Sequence, residues 1–161
     1  MTRHVSAFAI LSLALGAQAC NSRPRALVRG QDACRYCRMA IDDTRFGAML
    51  LSTRGKVDTF DSIECLASFV ASLPANDHAR QILVADFDAP DRWLDVAQAR
   101  FLHNGSVRSP MGRAYAAFPP EASDASLVQR YGGRTMAWHD VLAMVQRDQF
   151  APTGAPSAHT H

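Results

Sequence analysis

Charge of one sign is scarce in this chain: 17 Lys and Arg residues face 15 Asp and Glu, a formal net charge of +2. That balance excludes a strongly basic nucleic-acid binder, which needs cations clustered on a high-pI domain. No nucleic acid is therefore expected as a partner. Disorder is excluded too, because 48% of the residues are hydrophobic and the net charge is low. Long apolar runs are missing outside the N-terminal segment, and none there approaches the ~20 residues a membrane helix needs. Cysteine is sparse, at four residues, with one C-x-x-C. A structural zinc knuckle wants a second such pair or two close histidines, and His78, His103 and His139 are scattered. There is no phosphate-cradling glycine loop, no H-E-x-x-H and no nucleophile elbow, so no motif argues for catalysis.

What is present begins with an address. Arg3 precedes an almost wholly apolar stretch from Val5 to Ala17, the pattern of a secretory signal over residues 1–19. Ala17-Gln18-Ala19 fits ordinary signal-peptidase cleavage. Ala19-Cys20 also fits a bacterial lipobox, with Ala17 where leucine is usual, and would leave Cys20 acylated. A cysteine directly after the cut site favours lipidation. Residues 20–31, polar and arginine-rich, would then be a tether, with a domain over 32–149 and a flexible tail over 150–161.

Within the domain, Phe46–Ser52 and Lys56–Phe60 read as strands joined by a Thr53-Arg54-Gly55 turn. Asp61 is expected as the N-cap of a helix to Ser72, with Glu64 completing a capping-box pattern. Ile63, Leu66, Ala67 and Val70 form its apolar face. Ile82–Asp86 reads as a buried strand before an Asp-Ala-Pro-Asp turn, and Trp93–Phe101 holds one or two more. Helices are expected over Ser123–Tyr131 and about Asp140–Arg147. A faint repeat sets Gly55 to Ile63 against Gly133 to Val141, with Met39 and Phe46 opposite Met111 and Phe118. It suggests two related strand–strand–helix (ββαβ-like) units, about 32–90 and 91–149.

The densest chemistry lies in Asp32-Ala-Cys-Arg-Tyr-Cys-Arg-Met-Ala-Ile41. In an extended backbone Cys37 and Met39 would share a face, and a thiolate beside a thioether is a soft pair that selects Cu(I). Cys65 is a third possible sulfur, and Met111 holds in the second unit the place of Met39. Met49, Met136 and Met144 read as core. Exported cysteines commonly form disulfides, so Cys34 pairing with Cys37 or Cys65 stays open. Zinc held by Cys34, Cys37, Cys65 and one histidine also stays open. With Cys20 lipidated, three cysteines remain, an odd number that favours metal or redox chemistry. Asp42, Asp43, Asp58 and Asp61 read as solvated turn and capping residues, and His159 and His161 as inert tail residues.

Cys37-Arg38-Met39-Ala40-Ile41-Asp42, Phe60-Asp61-Ser62-Ile63-Glu64-Cys65 and Ser109-Pro110-Met111-Gly112, together with the lipobox, resemble the nitrous-oxide-reductase accessory lipoproteins, NosL. Members usually read Cys-Gly-Met where this chain has Arg38. The resemblance implies an α+β fold of two small related units, similar to organomercurial lyase. It implies a metallochaperone rather than an enzyme: a periplasmic lipoprotein that binds Cu(I) and delivers it to the copper–sulfide centre of nitrous oxide reductase, or to that enzyme's membrane assembly machinery of the ABC type. Carried over, Cys37 and Met39 are the primary ligands, and Cys34, Cys65, Met111 and His103 are lesser candidates. The alternatives are a lyase-type enzyme using Cys37 and Cys65 as thiolates with Asp61 as proton donor, and a disulfide-stapled module without metal.

Overall fold

The computed structural model describes residues 23–74 and 79–150. The export segment, Cys20, His78 and the tail histidines lie outside the described residues. The fold is α+β. A four-stranded antiparallel sheet contains β1 (Ala48–Ser52), β2 (Val57–Phe60), β3 (Ala79–Asp86) and β4 (Ala89–Asp95) in the order β2-β1-β3-β4. A three-stranded antiparallel sheet contains β5 (Arg100–His103), β6 (Tyr115–Phe118) and β7 (Arg134–Met136) in the order β6-β5-β7. Helices α1 (Ile63–Ser72) and α3 (Trp138–Phe150) follow the edge strands β2 and β7 and pack on one another. Helix α2 (Asp124–Tyr131) precedes β7.

Alternation along the strands shows where the core sits. Ala48 and Leu50 of β1, Phe101 of β5, and Tyr115 and Ala117 of β6 join α1 and α3 in one central cluster. Leu102, Ala116 and Phe118 turn the other way, into a second cluster with Phe46 and Leu127. Met49 and Leu51 face a third with Leu83. A strand covered on both faces carries no polar alternation. That is why Phe-Gly-Ala-Met-Leu-Leu-Ser reads as a continuous apolar run, and why the buried strand β6 gave no period-2 signal.

Several boundaries differ from expectation. Phe46 closes a 3-10 turn over Thr44–Phe46, capped by Asp43, and does not open β1. β3 begins at Ala79, three residues before its apolar run, because pairing with β1 extends it. The turn expected at Asp88 to Asp91 is a shorter one at Phe87-Asp88, and Pro90 already lies on β4. That strand is an edge, where a missing N–H costs no ladder bond. Helix α3 starts at Trp138, with the Asp140 carboxylate accepting from the Ala137 N–H at 3.1 Å.

The segment expected to be a free tether up to Gln31 is docked from Arg25 onward. Leu27 packs in the cluster of Met49, Leu51 and Leu83, and the Trp93 indole N–H donates to the Arg25 carbonyl at 3.1 Å. A Cβ on Gly47 would stand 2.2 Å from Leu27 Cδ1, so glycine admits the strap. Half-burial of Leu27 contributes roughly 1 kcal/mol, given ~1.5–3 for a fully buried leucine.

Candidate metal centre

The C-x-x-C forms a tight turn in a small hairpin closed by a bridge between Ala33 and Ala40. The Cys34 N–H donates to the Met39 carbonyl at 2.8 Å, and the Arg38 N–H to the Cys34 carbonyl at 3.0 Å. The Cys37 N–H points at Cys34 Sγ, 3.5 Å away. Two bonds fasten this hairpin to β2: Arg35 N–H to the Thr59 carbonyl at 2.7 Å and Thr59 Oγ1 to the Ala33 carbonyl at 2.9 Å. The extended Cys37–Met39 backbone expected from spacing is therefore corrected. Arg38 sits between them at φ 68°, in the left-handed region that favours glycine. An L side chain there costs roughly 1–2 kcal/mol, so Arg38→Gly should stabilise the fold by about 1 kcal/mol in chemical denaturation. An unchanged or lower stability would show that the Arg38 side chain contributes contacts offsetting that strain.

Helix α1 supplies the other half of the site. Its N-cap is Ser62, not Asp61: Ser62 Oγ accepts from the Cys65 N–H at 3.2 Å. Freed from capping, Asp61 is 2% exposed and turned inward. Ligand atoms of Cys34, Cys37, Asp61 and Cys65 all lie within 4.8 Å of one another. Two sulfurs at ~2.3 Å from one ion stand at most about 4.6 Å apart, so the group is close to the spacing that a single ion requires. Cys34 and Cys65 are buried and Cys37 is half-buried. All three are free thiols, so neither disulfide pairing left open by the sequence is formed. Among the described residues no histidine joins the group, and Asp61 takes the fourth place.

The electrostatics make the four donors unequal. The Cys65 thiol donates toward Cys34, and backbone N–H groups add to it, so Cys34 is lowered to about 6 against the cost of burial. The same proton, held between two sulfurs, pushes Cys65 well up, with burial and Asp61 adding to the shift. Burial raises Cys37 to about 11. Neither carboxylate oxygen of Asp61 meets an N–H or O–H donor; its polar neighbours are the Cys34 and Cys65 thiols, and a buried carboxylate without strong donors is expensive. The sulfurs and the carboxylate together form a site whose chemistry favours a cation.

Around this cluster the candidates separate. Met39, 55% exposed, follows the hairpin turn, and Met111, 42% exposed, sits in the 104–114 loop. Met111 lines a cleft of about 130 Å³ with Tyr36, Glu64, Cys65, Ser68 and Arg113. His103 is outside the cluster. It is buried on β5, stacked on Tyr115 with ring centroids 4.5 Å apart, and burial followed by Arg134 lowers its pKa. Of the methionines read as core, Met49 is fully buried, while Met136 and Met144 are half-buried. Asp42 is exposed, Asp43 pairs with Arg45, and Asp58 is largely buried against Lys56 and Arg35.

Glu64 was expected to cap and does not. It is 3% exposed, accepts from the Ser109 hydroxyl and from the Arg113 N–H at 3.3 Å, and is raised chiefly by burial. The pattern concealed both acids, because Asp-Ser-x-x-Cys offers two adjacent N-cap candidates. That redundancy was the available signal: if Ser62 caps, Asp61 is free to serve the site.

The fold and the sequence family agree. The solved copper chaperone NosL from Shewanella denitrificans is similar over 73% of this chain and 96% of that one, with 21% identity and a TM-score of 0.59. No curated protein matches the chain. The NosL family model matches residues 25–145, beginning at the docked strap and ending in α3, and the chain belongs to the NosL family.

Proposed function

We propose that this protein is a Cu(I) carrier and not an enzyme. In this reading it is periplasmic, anchored to a bacterial membrane through acylated Cys20, and it delivers copper for the copper–sulfide centre of nitrous oxide reductase, directly or through that enzyme's ABC-type assembly machinery. The observation that carries the copper reading is the convergence of three thiols and a buried carboxylate within 4.8 Å, with Met111 lining a cleft against Cys65. Soft sulfur donors select Cu(I) over hard ions. Family membership and the chaperone fold support the same reading.

Cys37 and Met39 are the entry ligands, being the accessible sulfurs of the hairpin. Cys34 and Cys65 lie behind them, Met111 faces the cleft, and Asp61 adds negative charge. His103 supplies no ligand in this arrangement. An ion held at the boundary between exposed and buried sulfur can pass on by ligand exchange, since an incoming donor reaches it while the inner thiolates still hold. A lipid at Cys20 would raise the carrier's effective concentration near membrane machinery.

The test is an anaerobic Cu(I) titration of reduced protein against a competing chelator. One tightly bound ion supports the reading, and no binding ends it. Affinity should also depend on pH. A thiol raised to about 11 still holds its proton at neutral pH, whereas Cys34, at about 6, has largely lost its own. Copper must displace protons from Cys37 and Cys65, so affinity should rise about tenfold per pH unit for each proton displaced. A flat profile between about pH 6.5 and 8.5 would show that copper binds without displacing those protons.

A further inference from the structure

We propose that Glu64 is a positioning residue: its buried carboxyl clips the loop carrying Met111 to the first turn of α1 and so sets Met111 as a sulfur donor facing Cys65. The inference rests on the copper reading above. Glu64 and Ser109 are 45 positions apart in sequence, yet the Ser109 hydroxyl donates to Glu64 Oε1. The same oxygen accepts from the Arg113 N–H at 3.3 Å. Ser109 Oγ in turn accepts from the Ala114 N–H at 3.0 Å. Ser109 and Arg113, on either side of Met111, thus converge on one carboxylate oxygen.

Between those ends the chain turns tightly, with the Gly112 N–H on the Ser109 carbonyl at 2.9 Å, and Met111 stands within the turn. Arg113 extends to Asp148 of α3, holding the far side. Glu64, Cys65 and Met111 line one cleft. Glu64 Oε2 is buried without a partner. An apolar side chain of similar size would fill that space without the cost of an unpaired polar atom, so packing does not account for the carboxyl. What it uniquely provides is an acceptor for two loop donors.

The test compares Glu64→Ala, Glu64→Gln, Ser109→Ala and Met111→Leu in the purified, reduced protein. One measurement is Cu(I) affinity. The other, made without metal, is the rate of alkylation of Cys65 followed by peptide mass spectrometry. Loss of the clip should lower affinity about tenfold in Glu64→Ala and Ser109→Ala, and Met111→Leu should lower it by the same amount. Combining Glu64→Ala with Met111→Leu should then cost no more than Met111→Leu alone. Glu64→Gln keeps the acceptor oxygen and should stay near wild type. In the metal-free arm Glu64→Ala and Ser109→Ala should alkylate about tenfold faster at Cys65, and Glu64→Gln should not. Additive losses in the double variant, or unchanged alkylation in Glu64→Ala, overturn the proposal. If even the wild type binds no copper, the carrier reading fails while alkylation still decides whether the clip exists.

Discussion

Replacing Cys37 with serine should lower Cu(I) affinity about a hundredfold, and replacing Met39 with leucine should lower it about tenfold, with the fold retained in both. The size follows from the number of donors. Metal binding to a four-ligand sulfur and nitrogen site releases ~10–16 kcal/mol, so one thiolate accounts for roughly 3 kcal/mol, or about two decades. A thioether is uncharged and a weaker donor, hence the smaller loss. Both side chains reach the surface, Cys37 half-buried and Met39 55% exposed, so neither change leaves a core cavity. Chelator competition measures affinity, and thermal unfolding of the metal-free protein checks the fold. Affinity indifferent to both substitutions would place copper elsewhere and remove the basis for Cys37 and Met39 as entry ligands.

The second prediction sets stability against function. Asp61→Asn should stabilise the metal-free protein while weakening copper binding. Both Asp61 oxygens are buried without an N–H or O–H donor, and leaving such a group unsatisfied costs about 1–3 kcal/mol, more when it is charged. Removing its charge should return much of that, raising Tm by several degrees at about 3–5 °C per kcal/mol for a chain of this size. The same change deletes the anionic oxygen that lies within 4.8 Å of all three sulfurs, and affinity should fall about tenfold or more. Opposite signs are the discriminating result, because structural damage would lower both quantities together. A fall in Tm would mean that the metal-free fold already satisfies the carboxylate, and Asp61 would lose its place in the site.

Much of the local structure was readable from particular residues. Helix α1 ends at Ser72 as its spacing and Pro74 indicated, and Gly132 terminates α2. The hairpin from β1 to β2 turns at Thr53-Arg54-Gly55, with Gly55 at φ 80°. These features depend on near neighbours in the chain, where turn and capping chemistry act. The misread features depend on distant ones. Leu27 became part of the domain because Met49, Leu51 and Leu83 offered it an apolar face. β6 was missed because its two sides serve two different cores.

The site divides along the same line. The amino-acid order alone determined the soft donors: a C-x-x-C with methionine two residues on, a third cysteine in a capped helix, and Met111 in a second loop. Their chemistry is intrinsic to the side chains, and so is their softness as donors. Only the tertiary structure decided which donors meet. It left His103 stacked on Tyr115 in the second sheet, and it turned Asp61 inward once Ser62 had taken the cap. It also joined Glu64 to Ser109 across 45 positions. The reason is physical: ligand type is a property of one residue, whereas convergence, burial and the sharing of a proton belong to pairs that only the folded chain brings within a few ångströms.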